Sequence, residues 1–240
     1  MGCKKIKAYL LAFSVILLLA ALLRPQWGFQ WQEVKRQGLD IVIALDTSKS
    51  MLARDVLPNR LERSKLAIKD FAGKLSGDRL GLVAFAGSAF IACPLTVDYG
   101  GFLLALDDID VTTIPRGGTA IASAIREGIQ AYRGQSSKQK ILILITDGED
   151  HEHDPLAAAR QAKQEGITIY CIGIGTQEGD LITVEDNHER IYVKDSSGNA
   201  GKSRLNEDVL QKIALETGGA YIRATSAEFG LDVLYKQKFA

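Results

Sequence analysis

The chain has 240 residues, with 29 Lys and Arg against 29 Asp and Glu, 46% hydrophobic and 24% charged residues. That composition and length suit one globular domain with its own core plus an appendage, and they exclude the disordered, collagen-like and multi-span membrane classes. The neutral total hides a split: residues 1 to 36 hold six basic groups and one acid, the remainder 23 basic against 28 acidic, so the globular part is no binder of nucleic acid.

Ala8 to Leu23 carries no charge. It makes about 24 Å of helix, short for a bilayer, and Ile6 lengthens it if Lys7 snorkels. A cleavable signal peptide or a buried domain helix would show the same run. The flanks favour an uncleaved anchor, because Leu22-Leu23-Arg24-Pro25 offers no small-residue cleavage site and Trp27, Phe29 and Trp31 suit an interfacial belt. Lys4, Lys5 and Lys7 precede the run while Arg24 alone closely follows it, which predicts a cytoplasmic N-terminus. A single-pass chain in a bacterial inner membrane then holds its domain in the periplasm, although Lys35 and Arg36 count against that orientation. Cys3, Cys93 and Cys171 show no metal-ligand spacing and cannot all pair, so no disulfide framework is expected, and Cys171 reads as a small buried hydrophobe.

From Leu39 onward β-branched runs alternate with helical periodicity, the pattern of an α/β fold with a mostly parallel sheet covered on both faces. Strands are predicted at Leu39 to Leu45, Arg79 to Phe85, Ala89 to Cys93, Lys140 to Thr146, Thr168 to Gly173 and Ala220 to Ala224. The short Ala86-Gly87-Ser88 turn makes the second and third an antiparallel pair. Helices are predicted from Asn59 to Leu75, from Ile121 to Tyr132, from Leu156 to Glu165, and from an Asn206 cap to Thr217. Residues 180 to 199 interrupt the alternation as a surface hairpin, Leu181 to Val184 against Arg190 to Val193.

Ligands of open parallel sheets gather beyond the carboxyl ends of the strands. There the first strand runs into Asp46-Thr47-Ser48-Lys49-Ser50, the fourth into Asp147-Gly148-Glu149-Asp150, and Gly117-Gly118-Thr119 precedes the Ile121 helix. Asp46, Ser48, Ser50, Thr119 and Asp147 offer only oxygen, the donor set of a hard cation such as Mg2+ or Mn2+. In an extended loop, residues 46, 48 and 50 would point the same way. Two carboxylates balance a divalent charge, and neutral hydroxyls leave an open position attractive to an anion. Taken singly, Asp and Ser here could simply make turns, and Thr119 could cap the helix. All five together, in this order and at these strand ends, argue for a site.

These five positions resemble the metal-ion-dependent adhesion site (MIDAS) of von Willebrand factor A domains, over roughly residues 37 to 225. The resemblance implies a Rossmann-like domain in which Ser48, Ser50 and Thr119 supply hydroxyl ligands and Asp46 and Asp147 bind directly or through water. Arg24-Pro25-Gln26-Trp27, Met51-Leu52-Ala53 with Asp55, Pro58-Asn59-Arg60-Leu61 and Thr217-Gly218-Gly219 are similar to bacterial membrane-anchored Bat aerotolerance proteins. Their operons commonly encode a MoxR-type AAA+ ATPase. Members usually carry a further membrane segment near the C-terminal end; this sequence reaches Ala240 without one, as expected of a truncated or split version. The implied organisation is an anchor and juxtamembrane segment (1–36), a domain (37–225) and a tail (226–240).

Catalysis is the rival reading. Gly173-Ile174-Gly175-Thr176-Gln177-Glu178-Gly179 misses the dinucleotide fingerprint by a residue, and neither a P-loop nor a G-x-S-x-G is present. A Mg2+-dependent hydrolase would need a base that is not evident. His151-Glu152-His153-Asp154 reads as a solvated acidic loop rather than a transition-metal site. A purely structural membrane protein would leave the oxygen set idle. The preferred expectation is no enzyme but a membrane-tethered module that captures a protein partner's Asp or Glu through a bound ion.

Overall fold

In the computed structural model, residues 2–22, 38–134, 139–150, 154–186, 189–192, 201–225 and 229–235 are described. The chain forms two compact units, Met1–Arg36 and Gln37–Ala240. In the first, α1 spans Gly2–Leu22, and its stretch Lys5–Leu22 has a mean hydropathy of 2.0, long and apolar enough to cross a membrane. Leu10, Leu11, Ile16 and Leu18 are all exposed along it. The aromatic belt at Trp27, Phe29 and Trp31 and the basic pair Lys35 and Arg36 lie outside the described residues.

The second unit runs β1 (Asp40–Asp46), a 3-10 turn (Lys49–Leu52), α2 (Arg60–Ala72), β2 (Arg79–Phe85), β3 (Ala89–Thr96), α3 (Tyr99–Asp108), α4 (Ile121–Ala131), β4 (Lys140–Thr146), α5 (Pro155–Gln164) and β5 (Ile167–Gly173). After it come β6 (Asp180–Leu181), β7 (Thr183–Asp186), β8 (Glu189–Tyr192), β9 (Lys202–Ser203), α6 (Glu207–Thr217), β10 (Tyr221–Arg223) and α7 (Leu231–Leu234). Six strands form the main sheet in the order β10-β5-β4-β1-β2-β3. Every pairing is parallel except β2 with the edge strand β3.

β1 sits centrally, and all seven of its residues are buried. Its alternate side chains feed two cores. Ile41, Ile43 and Leu45 pack with Ile68, Phe71 and Phe102 of α2 and α3, while Val42 and Ala44 pack with Ile125, Ala159 and Ile213 of α4, α5 and α6. Burying each such large aliphatic side chain stabilises the fold by about 1.5–3 kcal/mol. Fully buried Tyr132 ties the strand ends together: its hydroxyl accepts from Val42 N at 3.1 Å and donates to the Ile141 carbonyl.

Several expectations need correcting. α3 escapes the periodicity because Gly100 and Gly101 fill its first turn; Asp98 supplies the start signal, accepting from Gly101 N at 3.1 Å. β3 continues through Pro94 to Thr96, since an edge strand tolerates a missing donor. Asn206 stands at the α6 N-cap without a side-chain cap bond, and Glu207 and Asp208 in the first turn favour the helix N-terminus instead. The expected hairpin forms as β7 against β8, one residue earlier on its second strand, and β6 pairs with β9 as a stem that the sequence pattern did not show. Cys171 is buried as expected.

Candidate functional site

Parallel β1 and β4 lie side by side in the register Leu45↔Ile145, so their ends deliver Asp46 and Asp147 to one edge. Both are fully buried. Asp46 Oδ2 accepts from Thr146 Oγ1 at 2.6 Å and Oδ1 accepts from Ser48 N at 2.8 Å. Burial first, and then the charge of Asp147, pushes the Asp46 carboxyl up to about 7, against the pull of these hydrogen bonds.

The loop after β1 does not stay extended. Ser48 is extended, the chain then tightens into the Lys49–Leu52 turn, and that turn brings Ser48 Oγ within 2.9 Å of Ser50 Oγ. The two hydroxyls therefore meet as expected, through a different backbone.

Thr119 is 2% exposed, and its loop is tied down by two backbone bonds, Ala120 N to Ala86 O at 2.7 Å and Gly87 N to Arg116 O at 3.1 Å. Gly87 permits this approach, because a Cβ there would lie 2.2 Å from the Gly117 carbonyl oxygen. The N-cap of α4 is Ala120, so Thr119 is not its cap, and Asp150 Oδ1 accepts from Ile121 N at 3.4 Å. Among the described residues, no hydrogen bond links Thr119 to the other four site residues.

The structure adds residues that sequence reasoning missed. Arg60 is fully buried; its Nη1 donates to Asp147 Oδ2 at 2.9 Å, and its Nε and Nη2 fork onto Asp55 at 2.8 and 2.7 Å. Ser203 Oγ reaches the same Asp147 oxygen at 3.0 Å. Glu149 is raised above the usual carboxylate range by burial and by Asp147, and its Oε1 accepts from Arg204 N at 2.9 Å. A signal for Arg60 was present: it precedes Ser64 and Ile68 at intervals of four, on the buried stripe of α2, and a buried guanidinium must be paired. Nothing local marks Ser203, which arrives through the stem of the insertion.

The gathered donors are two carboxylates and hydroxyls, the kind of set that could hold a hard divalent cation. Among the described residues no three His, Cys, Asp or Glu side chains cluster as a metal group. His151, Glu152 and His153 lie outside those residues; Asp154 caps α5, accepting from Ala157 N at 2.8 Å.

A family profile for the von Willebrand factor type A domain matches residues 40–236. Two solved structures share both fold and sequence. The conserved hypothetical protein BatB from Bacteroides thetaiotaomicron is 37% identical with a TM-score of 0.79, over 83% of this chain and 96% of that one. An aerotolerance-related membrane protein from Bacteroides fragilis is 36% identical with a TM-score of 0.78, over 83% and 98%. A UPF0353 protein from Mycobacterium ulcerans is 29% identical over 238 residues, 94% of this chain and 66% of the relative, so the chain spans just under two thirds of its length. Proximal thread matrix protein 1 from the mussel byssus, solved with a zinc-occupied MIDAS motif, shares the fold at 20% identity and a TM-score of 0.62, over 83% of this chain and 45% of that one.

Proposed function

Because this chain belongs to the von Willebrand factor type A domain family, in its Bat aerotolerance type, we propose that it is a membrane-tethered protein-binding module, not an enzyme, with Mg2+ or Mn2+ held by Asp46, Ser48, Ser50, Thr119 and Asp147. The observation that carries this reading is the Ser48–Ser50 hydroxyl pair, 2.9 Å apart, beside two buried carboxylates at one sheet edge. Burial first, and then the charge of Asp147, raises the Asp46 carboxyl, and a cation beside it would relieve both. When bound, the ion would supply an electrophilic position for an acidic side chain from a partner. The chain's own residues do the rest: Thr146 and Ser48 N orient Asp46, and the Gly87 contact sets the Thr119 loop.

The proposed layout is an anchor and juxtamembrane segment at 1–36, with residues 8–23 in the membrane, a binding domain at 37–225 carrying an insertion at about 180–199, and a tail at 226–240. The outward, periplasmic placement, a role in envelope or oxidative stress tolerance, and partnership with a MoxR-type AAA+ ATPase or other Bat-type proteins follow from flanking charge and family resemblance.

Cross-linking and pull-down from membranes test the reading, with wild type and Asp46→Asn, each in Mg2+ and in EDTA. A partner carboxylate on the ion is worth about 2–5 kcal/mol, so recovery should fall steeply in EDTA. Asp46→Asn should lower it similarly, and the two losses should not add, since both remove one ion. Recovery unchanged by EDTA would mean that the domain docks by another face.

A further inference from the structure

We infer that Arg60 is a positioning residue and the built-in counter-ion of Asp147: it competes with the metal ion for that carboxylate and ties occupancy of the site to the stem of the insertion. The inference rests on the reading of Asp147 as a metal ligand.

Arg60, Asp147 and Ser203 are all fully buried and close a ring. Arg60 Nη1 donates to Asp147 Oδ2 at 2.9 Å and to Ser203 Oγ at 2.7 Å, and Ser203 Oγ donates onward to Asp147 Oδ2 at 3.0 Å. One oxygen of Asp147 thus receives both a guanidinium and a hydroxyl proton. Its Oδ1 accepts from the Glu149 amide, at 3.2 Å. A cation at the hydroxyl cluster and Arg60 would share this carboxylate. Like charges on one carboxylate repel across a dry interior, so Arg60 weakens the cation's hold while keeping Asp147 in place without it.

The ring also reaches the insertion at several points. Ser203 belongs to β9 and faces Asp180 of β6; Asp180 Oδ2 accepts from Arg54 N at 3.3 Å. Asp55, held by the Arg60 fork, accepts from Thr176 N at 2.8 Å and Thr176 Oγ1 at 3.1 Å, just before β6. Asn206 N, just after β9, donates to the Asp147 carbonyl at 2.8 Å. Gly175 lies flat against the guanidinium, with φ of 124° and room for no Cβ, which would sit 2.8 Å from Arg60 Cζ. The first end of the insertion is thereby fastened to the Arg54–Asp55 segment that Arg60 grips, and the second end to Asp147 itself. Drawing charge from Asp147 toward an ion weakens its bonds to Arg60 and Ser203 and loosens the stem.

The test uses the full chain in detergent micelles, with wild type, Arg60→Gln, Arg60→Lys and Ser203→Ala. Mg2+ titration calorimetry is read beside hydrogen exchange of the Asp180–Leu181 and Lys202–Ser203 amides. Arg60→Gln should bind Mg2+ roughly tenfold more tightly, since a unit positive charge leaves the site, yet melt lower without metal. Arg60→Lys keeps the charge and should keep the wild-type affinity, an outcome that a merely structural role would not produce. Mg2+ should speed exchange of the stem amides in wild type and do so less in Ser203→Ala, where the hydroxyl link to Asp147 is gone. Arg60→Gln with a native near-ultraviolet spectrum and equal or weaker Mg2+ affinity overturns the inference. So does Mg2+ binding by wild type with stem exchange unaltered, which decides the matter even if Arg60→Gln does not fold. A wild type that takes up no Mg2+ sinks the metal-site reading, and the inference with it.

Discussion

Thr146 donates its hydroxyl to Asp46 across the β4–β1 boundary at 2.6 Å, linking residues one hundred positions apart. With Ser48 N on the other oxygen, this bond locks the carboxylate toward the Ser48–Ser50 hydroxyls. The site is therefore held in shape by its own fold, and removing one carboxylate charge should abolish cation binding without collapsing the domain.

Free Mg2+ at one hundred times its dissociation constant should stabilise the wild type by about 2.7 kcal/mol, by linkage. Asp46→Asn keeps an oxygen for Thr146 and loses the charge, so its melting temperature should not respond to Mg2+. Thermal melts with and without EDTA check this; an equal Mg2+ shift in both proteins would move the ion elsewhere.

In metal-free protein the raised Asp46 carboxyl makes stability pH-dependent. Its folded value, about 7, exceeds the ordinary carboxylate value of 3.8, so the native state holds its proton more tightly. Stability from this group is complete below about pH 4 and falls as pH rises toward 7, by roughly 4 kcal/mol at most. Asp55 has the opposite sign: burial raises it, but the Arg60 hydrogen bonds and charge outweigh that and hold it below its ordinary value, so its contribution is lost in acid. Urea titrations in EDTA from pH 5 to 8 should show wild type losing stability relative to Asp46→Asn as pH rises.

Gly87→Ala drives a methyl into the Gly117 carbonyl oxygen at 2.2 Å and the Arg116 carbonyl oxygen at 2.7 Å. The Thr119 loop must move. A loss of about 1–3 kcal/mol in stability is expected from such overpacking. Calorimetry should show weaker Mg2+ binding as well, whereas a purely local clash would lower the melting temperature alone.

The anchor should resist alkaline carbonate extraction and keep its N-terminus. With Cys3 replaced, a cysteine at Leu215, which is 81% exposed, reports the side of the membrane, because Cys93 and Cys171 are buried. An impermeant maleimide should label Leu215→Cys in cells whose outer membrane alone is opened. Labelling only after inner-membrane lysis places the domain in the cytoplasm, where an AAA+ ATPase has its nucleotide and could touch it directly; outward placement requires an intermediary.

Sequence by itself determined the sheet, because five consecutive apolar residues, Ile141 to Ile145, can be buried on both faces only between two helical layers. It also placed Asp46 and Asp147 side by side, since parallel strands must deposit their C-terminal residues along one edge. α3 was illegible because two glycines mask a helix that tertiary packing of Phe102 and Leu106 enforces. Only the tertiary structure decided that Ser48 and Ser50 meet through a 3-10 turn, and that Arg60 and Ser203, separated by 143 positions, share the Asp147 oxygen. Such contacts leave no local trace: a buried charge chooses its partner by proximity in the folded core, and that proximity exists only once both layers have closed on the sheet.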